Sequence, residues 1–161
     1  MKKTLILLRH GKAEGHSADG DFARELTHRG EEDAEKAGKH IFKEIATPDL
    51  IMTSDAARAQ STAKIAAKAA RYAGKLVLEH GIYEASTSDL AAIVRGLPST
   101  AASAVIVGHN PGLEELVHLL ADDWTHAPGL GTACFTRLEF DVDEWSAVED
   151  GAGRIAGVFA P

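Results

Sequence analysis

Short apolar runs alternate along most of the chain with longer segments in which apolar residues recur at helical spacing. The runs predict four strands, at Thr4 to Leu8, Leu50 to Met52, Leu76 to Leu78 and Ala104 to Val107. The helical spacing predicts four helices, at Thr27 to about Ile45, Ala56 to Tyr72, Leu90 to Leu97 and Leu113 to Leu120, with Gly74 as the cap of the second. Continuous apolar runs are typical of strands that are buried in a parallel sheet.

After residue 130 the pattern changes. Apolar and polar residues alternate from Phe135 to Phe140, and a further strand is predicted from Ile155 to Phe159. Four strand–helix units followed by a more antiparallel tail predict an α/β fold, a three-layer α/β/α sandwich with a mainly parallel central sheet. The length of 161 residues suits a single domain that spans residues 1–161.

The composition and the charge exclude several classes of protein. Hydrophobic residues make up 45% of the chain, which is enough for a packed core and excludes a disordered protein. Lys and Arg number 17 and Asp and Glu number 24, so the formal net charge is −7 with neutral His. Such a chain lacks the positive field that draws proteins to nucleic acid or anionic membranes, so we expect neither as a partner. An anionic substrate must be bound by a local pocket of Arg and His.

The single cysteine, Cys134, favours a cytoplasmic protein, because it allows neither an intramolecular disulfide nor a cysteine-based zinc site. The apolar run near the N-terminus ends at Arg9 and His10, which makes it too short for a signal peptide, and no stretch is long enough to span a membrane. Histidine pairs at metal-binding spacing do not occur in the sequence. We therefore predict neither a metal site nor a cofactor.

Three polar segments follow predicted strands directly. They are residues 9–11 (Arg-His-Gly), residues 54–58, which end in Arg58, and residues 108–110 (Gly-His-Asn). Open α/β sheets bind their ligands at the carboxyl ends of the strands, so these segments are expected to meet in one crevice. Two Arg and two His side chains would be costly to bury there without a partner. A phosphoryl group is the partner that these residue types favour.

The chemistry of each residue type supports a phosphoryl site. The guanidinium groups of Arg9 and Arg58 match phosphate oxygens in a bidentate way. Their charges disfavour a charged imidazole, so they keep His10 neutral, and a neutral ring nitrogen is a competent nucleophile toward phosphorus. Gly11 allows a tight turn close to a phosphate oxygen. His109 is placed to stabilise charge on the oxygens of the transferred group.

The same segments carry a family resemblance. Residues 7–11, 53–59 and 107–112 read Leu-Leu-Arg-His-Gly, Thr-Ser-Asp-Ala-Ala-Arg-Ala and Val-Gly-His-Asn-Pro-Gly. They resemble the signatures of the histidine phosphatase superfamily, whose members have a phosphoglycerate-mutase-like fold. Together with the connecting segments 22–30 and 83–86, the chain is most similar to the small SixA-type phosphohistidine phosphatases within that superfamily. The resemblance spans roughly residues 4–120.

The resemblance implies a role for each residue of the three segments. His10 is the expected nucleophile, which becomes phosphorylated during the reaction. Arg9, Arg58 and His109 are expected to bind and stabilise the phosphoryl group. Water would then attack the phosphohistidine and release phosphate.

The position of further residues in the chain suggests a proton donor and one more substrate contact. Glu84 stands where family members often carry the proton donor for the leaving group, with Glu79 and Glu14 as alternatives. His16 falls six residues after His10, where mutases tend to carry a phosphate-binding Asn, so it is a candidate for substrate binding. Asp55 stands where the family often has Pro, which leaves the detailed substrate contacts open.

The resemblance implies a metal-independent phosphatase that works through a phosphohistidine intermediate. The larger insertions of the mutases have no room in 161 residues, and an open groove suits a phosphorylated side chain on a protein. Phosphohistidine on a signalling or phosphotransfer protein is therefore the expected substrate. Two alternatives stay open: a phosphatase of small phosphomonoesters, and a non-catalytic module that binds phosphorylated partners. The sequence does not predict the oligomeric state.

Overall fold

A computed structural model describes residues 2–161, and within them six strands form one sheet. The strands are β1 (Lys3–Arg9), β2 (Leu50–Thr53), β3 (Val77–Leu78), β4 (Ser103–Gly108), β5 (Phe135–Phe140) and β6 (Arg154–Phe159). Their order across the sheet is β3-β2-β4-β1-β5-β6. The first four of these neighbours pair in parallel, whereas β5 pairs antiparallel with β1 and β6 pairs antiparallel with β5. The predicted parallel sheet with an antiparallel tail is confirmed.

Helices of the described residues cover both faces of this sheet. They are α1 (His28–Ile45), α2 (Ala57–Ala69), α3 (Thr87–Arg95) and α4 (Gly112–Leu120). Successive side chains of a strand point to opposite faces, so β1 contributes to two cores. Ile6 and Leu8 pack with residues of α1 and α2, whereas Leu5 and Leu7 pack with residues of α3 and α4. These three layers confirm the predicted α/β/α sandwich.

The alanine-rich helix α2 packs closely against α1. A Cβ atom added at Gly38 of α1 would lie only 2.4 Å from the carbonyl oxygen of Ala66 in α2. Ala59 and Ala63 of the same helix are fully buried between α1 and the sheet. Small side chains on both helices allow this close approach, which holds the first turn of α2, with Arg58, at the edge of the sheet.

Two helix boundaries differ from the predictions by three residues. Helix α2 was predicted to reach Tyr72 with Gly74 as its cap, but it ends at Ala69, and Arg71, with φ of 59°, takes a left-handed conformation. Gly74 instead lies against the ring of Tyr72. Helix α3 begins three residues before Leu90, because the Ser86 hydroxyl accepts a hydrogen bond from the Asp89 amide at 3.1 Å and caps the helix.

Among the helices between residues 2 and 161, none combines the length and the apolar character that a membrane span requires.

Candidate active site

A cavity of about 730 Å³ opens at the carboxyl ends of the parallel strands. Five of the predicted site residues line it. Four of them, in the segments that follow strands, form a set that we call the floor: Arg9, His10, Arg58 and His109. Four further lining residues come from connecting segments, and we call them the rim: Asp21, Arg24, Tyr83 and Glu84.

The register of the sheet brings the floor together. Arg9 at the end of β1 pairs with Gly108 at the end of β4, and the backbone amide of His10 donates to the Gly108 carbonyl at 3.0 Å. On the other side of β4, the backbone amide of Ser54 donates to the Val107 carbonyl at 3.0 Å. The ends of β1, β4 and β2 therefore lie side by side, as the sequence predicted.

His10 is 7% exposed, and its ring is fixed by its own neighbour in the chain. The Nδ1 atom lies 2.7 Å from the carbonyl oxygen of Gly11. A carbonyl oxygen only accepts hydrogen bonds, so Nδ1 carries the proton and Nε2 keeps its lone pair. Burial, with the nearby charges of Arg58 and Arg9, lowers the pKa of His10 to about 4 against the opposing effect of the Gly11 carbonyl. His10 is thus neutral at pH 7, as a nucleophile must be.

The backbone of Gly11 holds the ring of His10 in place. Its amide donates to the hydroxyl of Thr62 at 2.9 Å, and its carbonyl holds the His10 ring. A Cβ atom at residue 11 would lie 2.7 Å from the Gly30 carbonyl oxygen, so only glycine fits here. The sequence predicts Gly11 next to a phosphate oxygen, whereas in the structure its amide is already bonded to Thr62.

The two arginines of the floor leave hydrogen-bond donors free. Arg9 donates from Nη1 to the Leu130 carbonyl at 3.1 Å, and Arg58 donates from Nη1 to the Asp21 carbonyl at 2.8 Å. The Nε atoms of both arginines are buried without a partner. Among residues 2–161, four buried side-chain nitrogen or oxygen atoms have no hydrogen-bond partner, and three of them belong to floor residues: Arg9 Nε, Arg58 Nε and His109 Nδ1. Buried donors rarely stay unpaired, so this cluster indicates a site for an anion.

His109 is the second histidine of the floor, and its ring centre lies 5.2 Å from that of His10. Its Nε2 atom is 2.9 Å from the Ser54 hydroxyl, and its Nδ1 atom is one of the unpartnered buried atoms. Burial, reinforced by the neighbouring His10 and Arg58, lowers the pKa of His109 to about 3. This ring, like His10, is neutral at pH 7.

The carboxylate of Asp21 links two other rim residues to Arg58 of the floor. It accepts from the Tyr83 hydroxyl at 2.6 Å, from Arg24 Nε at 2.9 Å and from Arg58 Nη2 at 3.2 Å. The Tyr83 hydrogen bond, together with these arginines, lowers the pKa of Asp21 to about 2, and the same hydrogen bond raises the pKa of Tyr83 to about 12. At neutral pH Asp21 is an anion and Tyr83 keeps its proton, so Asp21 does not serve as a proton donor.

Of the three carboxylates proposed as proton donor, only Glu84 lies at the cavity. It is exposed there, with a backbone φ of 55°, a left-handed conformation that costs energy in a residue other than glycine. Glu79 instead accepts from the Gly81 amide at 3.0 Å, and Glu14 accepts from the Glu25 amide at 3.0 Å. Neither Glu79 nor Glu14 lines the cavity.

The structure does not bring His16 to the floor. It is exposed in the loop that precedes the short 3-10 helix Asp21–Ala23, and it does not line the cavity. Conversely, sequence reasoning missed Asp21, Arg24 and Tyr83. Arg24 and Tyr83 lie inside the matched segments 22–30 and 83–86, which was the signal that could have found them. Asp21 lies just outside.

Within residues 2–161, no group of three or more His, Cys, Asp or Glu side chains is arranged to hold a metal ion.

Comparison with known proteins assigns the family. The model of the histidine phosphatase superfamily (branch 1) matches residues 5–95, more than half of the chain, including Arg9, His10, Arg58 and Glu84. The chain belongs to this superfamily and is a phosphatase. His109 lies beyond the matched range. No sequence among the curated proteins matches the chain.

Solved structures agree with this family. A structure described as the phosphohistidine phosphatase SixA from Agrobacterium tumefaciens is 27% identical, with 99% of this chain and 98% of the other covered at a TM-score of 0.81. The SixA structure from Nakamurella multipartitia is 22% identical, with 100% and 97% covered at a TM-score of 0.86. A mycobacterial glucosyl-3-phosphoglycerate phosphatase with VO3 is 20% identical, with 96% and 98% covered at a TM-score of 0.70, and shares the fold.

Proposed function

We propose that this phosphatase transfers a phosphoryl group to Nε2 of His10, without a metal ion, and that it acts on phosphohistidine in a signalling or phosphotransfer protein. The observation that carries the proposal is the set of buried, unpartnered nitrogens of Arg9, Arg58 and His109 around a neutral His10. Two guanidinium groups supply the positive charge that a transferred phosphoryl group requires.

In the first half of the reaction, the lone pair of His10 Nε2 attacks phosphorus. A bond forms between Nε2 and phosphorus while the bond from phosphorus to the leaving group breaks, and the leaving group takes the bonding electrons. Arg9 and Arg58 bind the oxygens of the transferred group. Glu84 gives a proton to the leaving group.

In the second half, water attacks the phosphorus of phosphorylated His10. The carboxylate of Glu84 accepts a proton from that water, and the Nε2–phosphorus bond breaks. Phosphate leaves and His10 regains the lone pair on Nε2. The Gly11 carbonyl holds the proton on Nδ1 throughout, so the ring returns to its starting tautomer.

The phosphohistidine assignment is supported by the likeness to the SixA structure from Agrobacterium tumefaciens over nearly the full length of both chains. It is also supported by the short chain, which has no room for the insertions of the mutases and leaves a groove for a side chain of another protein. An imidazole leaving group needs less help from an acid than an alkoxide does.

We further infer that residues 1–161 form one histidine phosphatase domain, since all six strands described belong to one sheet. The net charge of −7 supports a protein that binds neither nucleic acid nor anionic membranes, and the single cysteine supports a place in the cytoplasm.

One observation favours a second substrate class, the small phosphomonoesters. Glu84 lies at the cavity, where it can protonate an alkoxide leaving group, and an alkoxide needs this proton more than the imidazole of phosphohistidine does. A non-catalytic module that binds phosphorylated partners is the remaining alternative, but such a module has no use for a neutral nucleophile.

The test compares three substrates in the presence of EDTA: a phosphotransfer domain carrying phosphohistidine, p-nitrophenyl phosphate and a sugar phosphate. We expect the wild-type protein to release phosphate fastest from the phosphotransfer domain. His10→Ala should lower this rate at least ~1000-fold, because the nucleophile is lost. The matched control is His28→Ala, since His28 is an exposed histidine of α1 with 87% of its side chain accessible.

The other possible outcomes favour an alternative function or contradict the mechanism. A clear preference for the sugar phosphate selects the small phosphomonoesters. Phosphate binding without hydrolysis of any substrate selects the binding module. Hydrolysis that survives in His10→Ala contradicts the proposed mechanism.

A further inference from the structure

Ser54 links the strand that precedes it to the second histidine of the floor. It is the first residue after β2, and no part of it is exposed to solvent. Its hydroxyl oxygen accepts a hydrogen bond from the Ala56 amide at 3.2 Å and lies 2.9 Å from Nε2 of His109. Its backbone amide is bonded to β4, the strand that leads to His109. The serine and the histidine are therefore held at a fixed separation by two neighbouring strands.

A count of protons decides the direction of the Ser54–His109 hydrogen bond. A serine hydroxyl has one hydrogen to donate, and a buried hydroxyl needs an acceptor for it. Of the two partners of the Ser54 hydroxyl, the Ala56 amide is a donor, so only Nε2 of His109 can accept. Nε2 must then be without a proton. In the neutral ring the proton lies on Nδ1, the atom that is buried without a partner.

The opposite tautomer fits poorly. If Nε2 carried the proton, the Ser54 hydroxyl would accept two hydrogen bonds and its own hydrogen would be buried with no acceptor. Nδ1 would then carry a lone pair in place of a proton, and it would repel an oxygen of a phosphoryl group instead of binding it.

We propose that Ser54 is a positioning residue that holds His109 in the Nδ1–H tautomer, so that this ring donates a hydrogen bond to the transferred phosphoryl group. The proposal rests on the proposed function, which places a phosphoryl group beside His10. In this proposal both histidines carry their proton on Nδ1, but the nitrogen that stays free for the phosphoryl group differs between them. On His10 the Nδ1 proton is bonded to Gly11 and a lone pair is free, whereas on His109 the Nδ1 proton is free and the lone pair is bonded.

The first test measures the tautomer directly, without substrate. The full chain with 15N-labelled histidine is studied by NMR at pH 7, and the signals of His109 are identified by their loss in His109→Gln. We expect His109 to show a protonated Nδ1 and an unprotonated Nε2. A protonated Nε2 overturns the proposal. This measurement needs no Ser54 variant, so it stands even where such a variant fails to fold.

The second test asks whether Ser54 sets the tautomer. In Ser54→Ala we expect the His109 signals to move toward the Nε2–H form, and kcat with p-nitrophenyl phosphate to fall about 10-fold with a smaller change in KM, because a donor to the transition state is partly lost. Ser54→Thr keeps a hydroxyl and should recover the Nδ1–H form and most of kcat. The exposed Ser146 provides the control variant, Ser146→Ala.

Failure of this inference differs from failure of the proposed function. If Ser54→Ala keeps the wild-type tautomer and the wild-type kcat while turnover still requires His10, Ser54 has no positioning role. If turnover survives His10→Ala, the proposed function is wrong.

Discussion

The floor and the rim of the cavity both contain arginine side chains, but they differ in whether their polar groups already have hydrogen-bond partners. On the floor, Arg9, Arg58 and His109 each bury a nitrogen that has no partner. On the rim, Asp21 already binds both Tyr83 and Arg24 through short hydrogen bonds. Buried donors without partners are costly, and a bound phosphoryl group would relieve that cost. We infer that the floor provides most of the binding energy for the phosphoryl group, while the rim affects the charge of the site and the transfer of protons.

The largest expected difference in activity is between a variant of Arg58 on the floor and a variant of Arg24 on the rim. Arg58→Lys keeps the positive charge but removes the fork and the unpartnered Nε, so kcat/KM with p-nitrophenyl phosphate should fall by ~100- to 1000-fold. Arg24→Lys should cost less than ~10-fold, because Arg24 Nε is already bonded to Asp21. The exposed Arg154 serves as the control through Arg154→Lys. Equal losses at Arg58 and Arg24 would remove the distinction between floor and rim.

The distinction between floor and rim also explains which residues of the site the sequence could predict. His10, Arg58 and His109 follow strands that local apolar runs reveal, and parallel strands end at one edge of the sheet. No local pattern could predict that Asp21 would meet Tyr83, 62 residues later in the chain. That contact depends on how two connecting segments pack over the cavity.

The ends of the helices were also only partly predictable from the sequence. Gly74 was expected to cap α2, yet it is Arg71 that takes the left-handed conformation that glycine adopts most easily. The amide of Arg71 bonds the Lys68 carbonyl, and that of Tyr72 bonds the Ala67 carbonyl, so the turn closes before Gly74 is reached. Apolar spacing locates a helix well, but the hydrogen bonds of its last turn decide where it ends.

The second prediction concerns Glu84 of the rim. Glu84→Gln removes the proposed proton donor, so phosphorylation of His10 by an alkyl phosphate should slow by about 100-fold in a single turnover. With p-nitrophenyl phosphate, whose leaving group is stable as an anion, the same step should change by less than about 2-fold. Glu79→Gln is the matched control, since Glu79 caps a 3-10 helix and does not line the cavity. Equal slowing with both substrates would argue against a proton donor.

The third prediction uses the neutral histidines of the floor. The pKa is about 4 for His10 and about 3 for His109, whereas a histidine of the unfolded chain has a pKa near 6.5. Between these values the unfolded chain binds more protons, so the free energy of unfolding falls as the pH falls. The loss should approach about 1.4 kcal/mol per pH unit for each histidine below pH 6.5.

Urea unfolding of the wild-type protein at pH 7, 6 and 5 measures this loss. A double variant, His10→Gln with His109→Gln, should lose less stability over the same range, because those two sites no longer bind protons on unfolding. The other histidines are present in both proteins and cancel in the comparison. Identical slopes would mean that His10 and His109 are not held neutral by the fold.

The smallest expected effect comes from removing the negative charge of Asp21 on the rim. Asp21→Asn keeps the shape of the side chain but removes an anion that would repel a phosphate dianion and compete with it for Arg58. Inorganic phosphate should therefore inhibit about 5-fold more strongly in the variant. The pKa of Tyr83, about 12 because of the Asp21 carboxylate, should fall toward 10.

A spectrophotometric titration of tyrosinate can detect that shift, since the chain has only two tyrosines, Tyr72 and Tyr83. Asp19→Asn, an exposed change in the same loop, is the control. If Asp21→Asn lowers the tyrosine pKa but weakens phosphate inhibition, the main effect of Asp21 is to hold Arg58 in place for the substrate. The rim would then contribute to phosphoryl binding through the floor, and the charge competition inferred for Asp21 would be wrong.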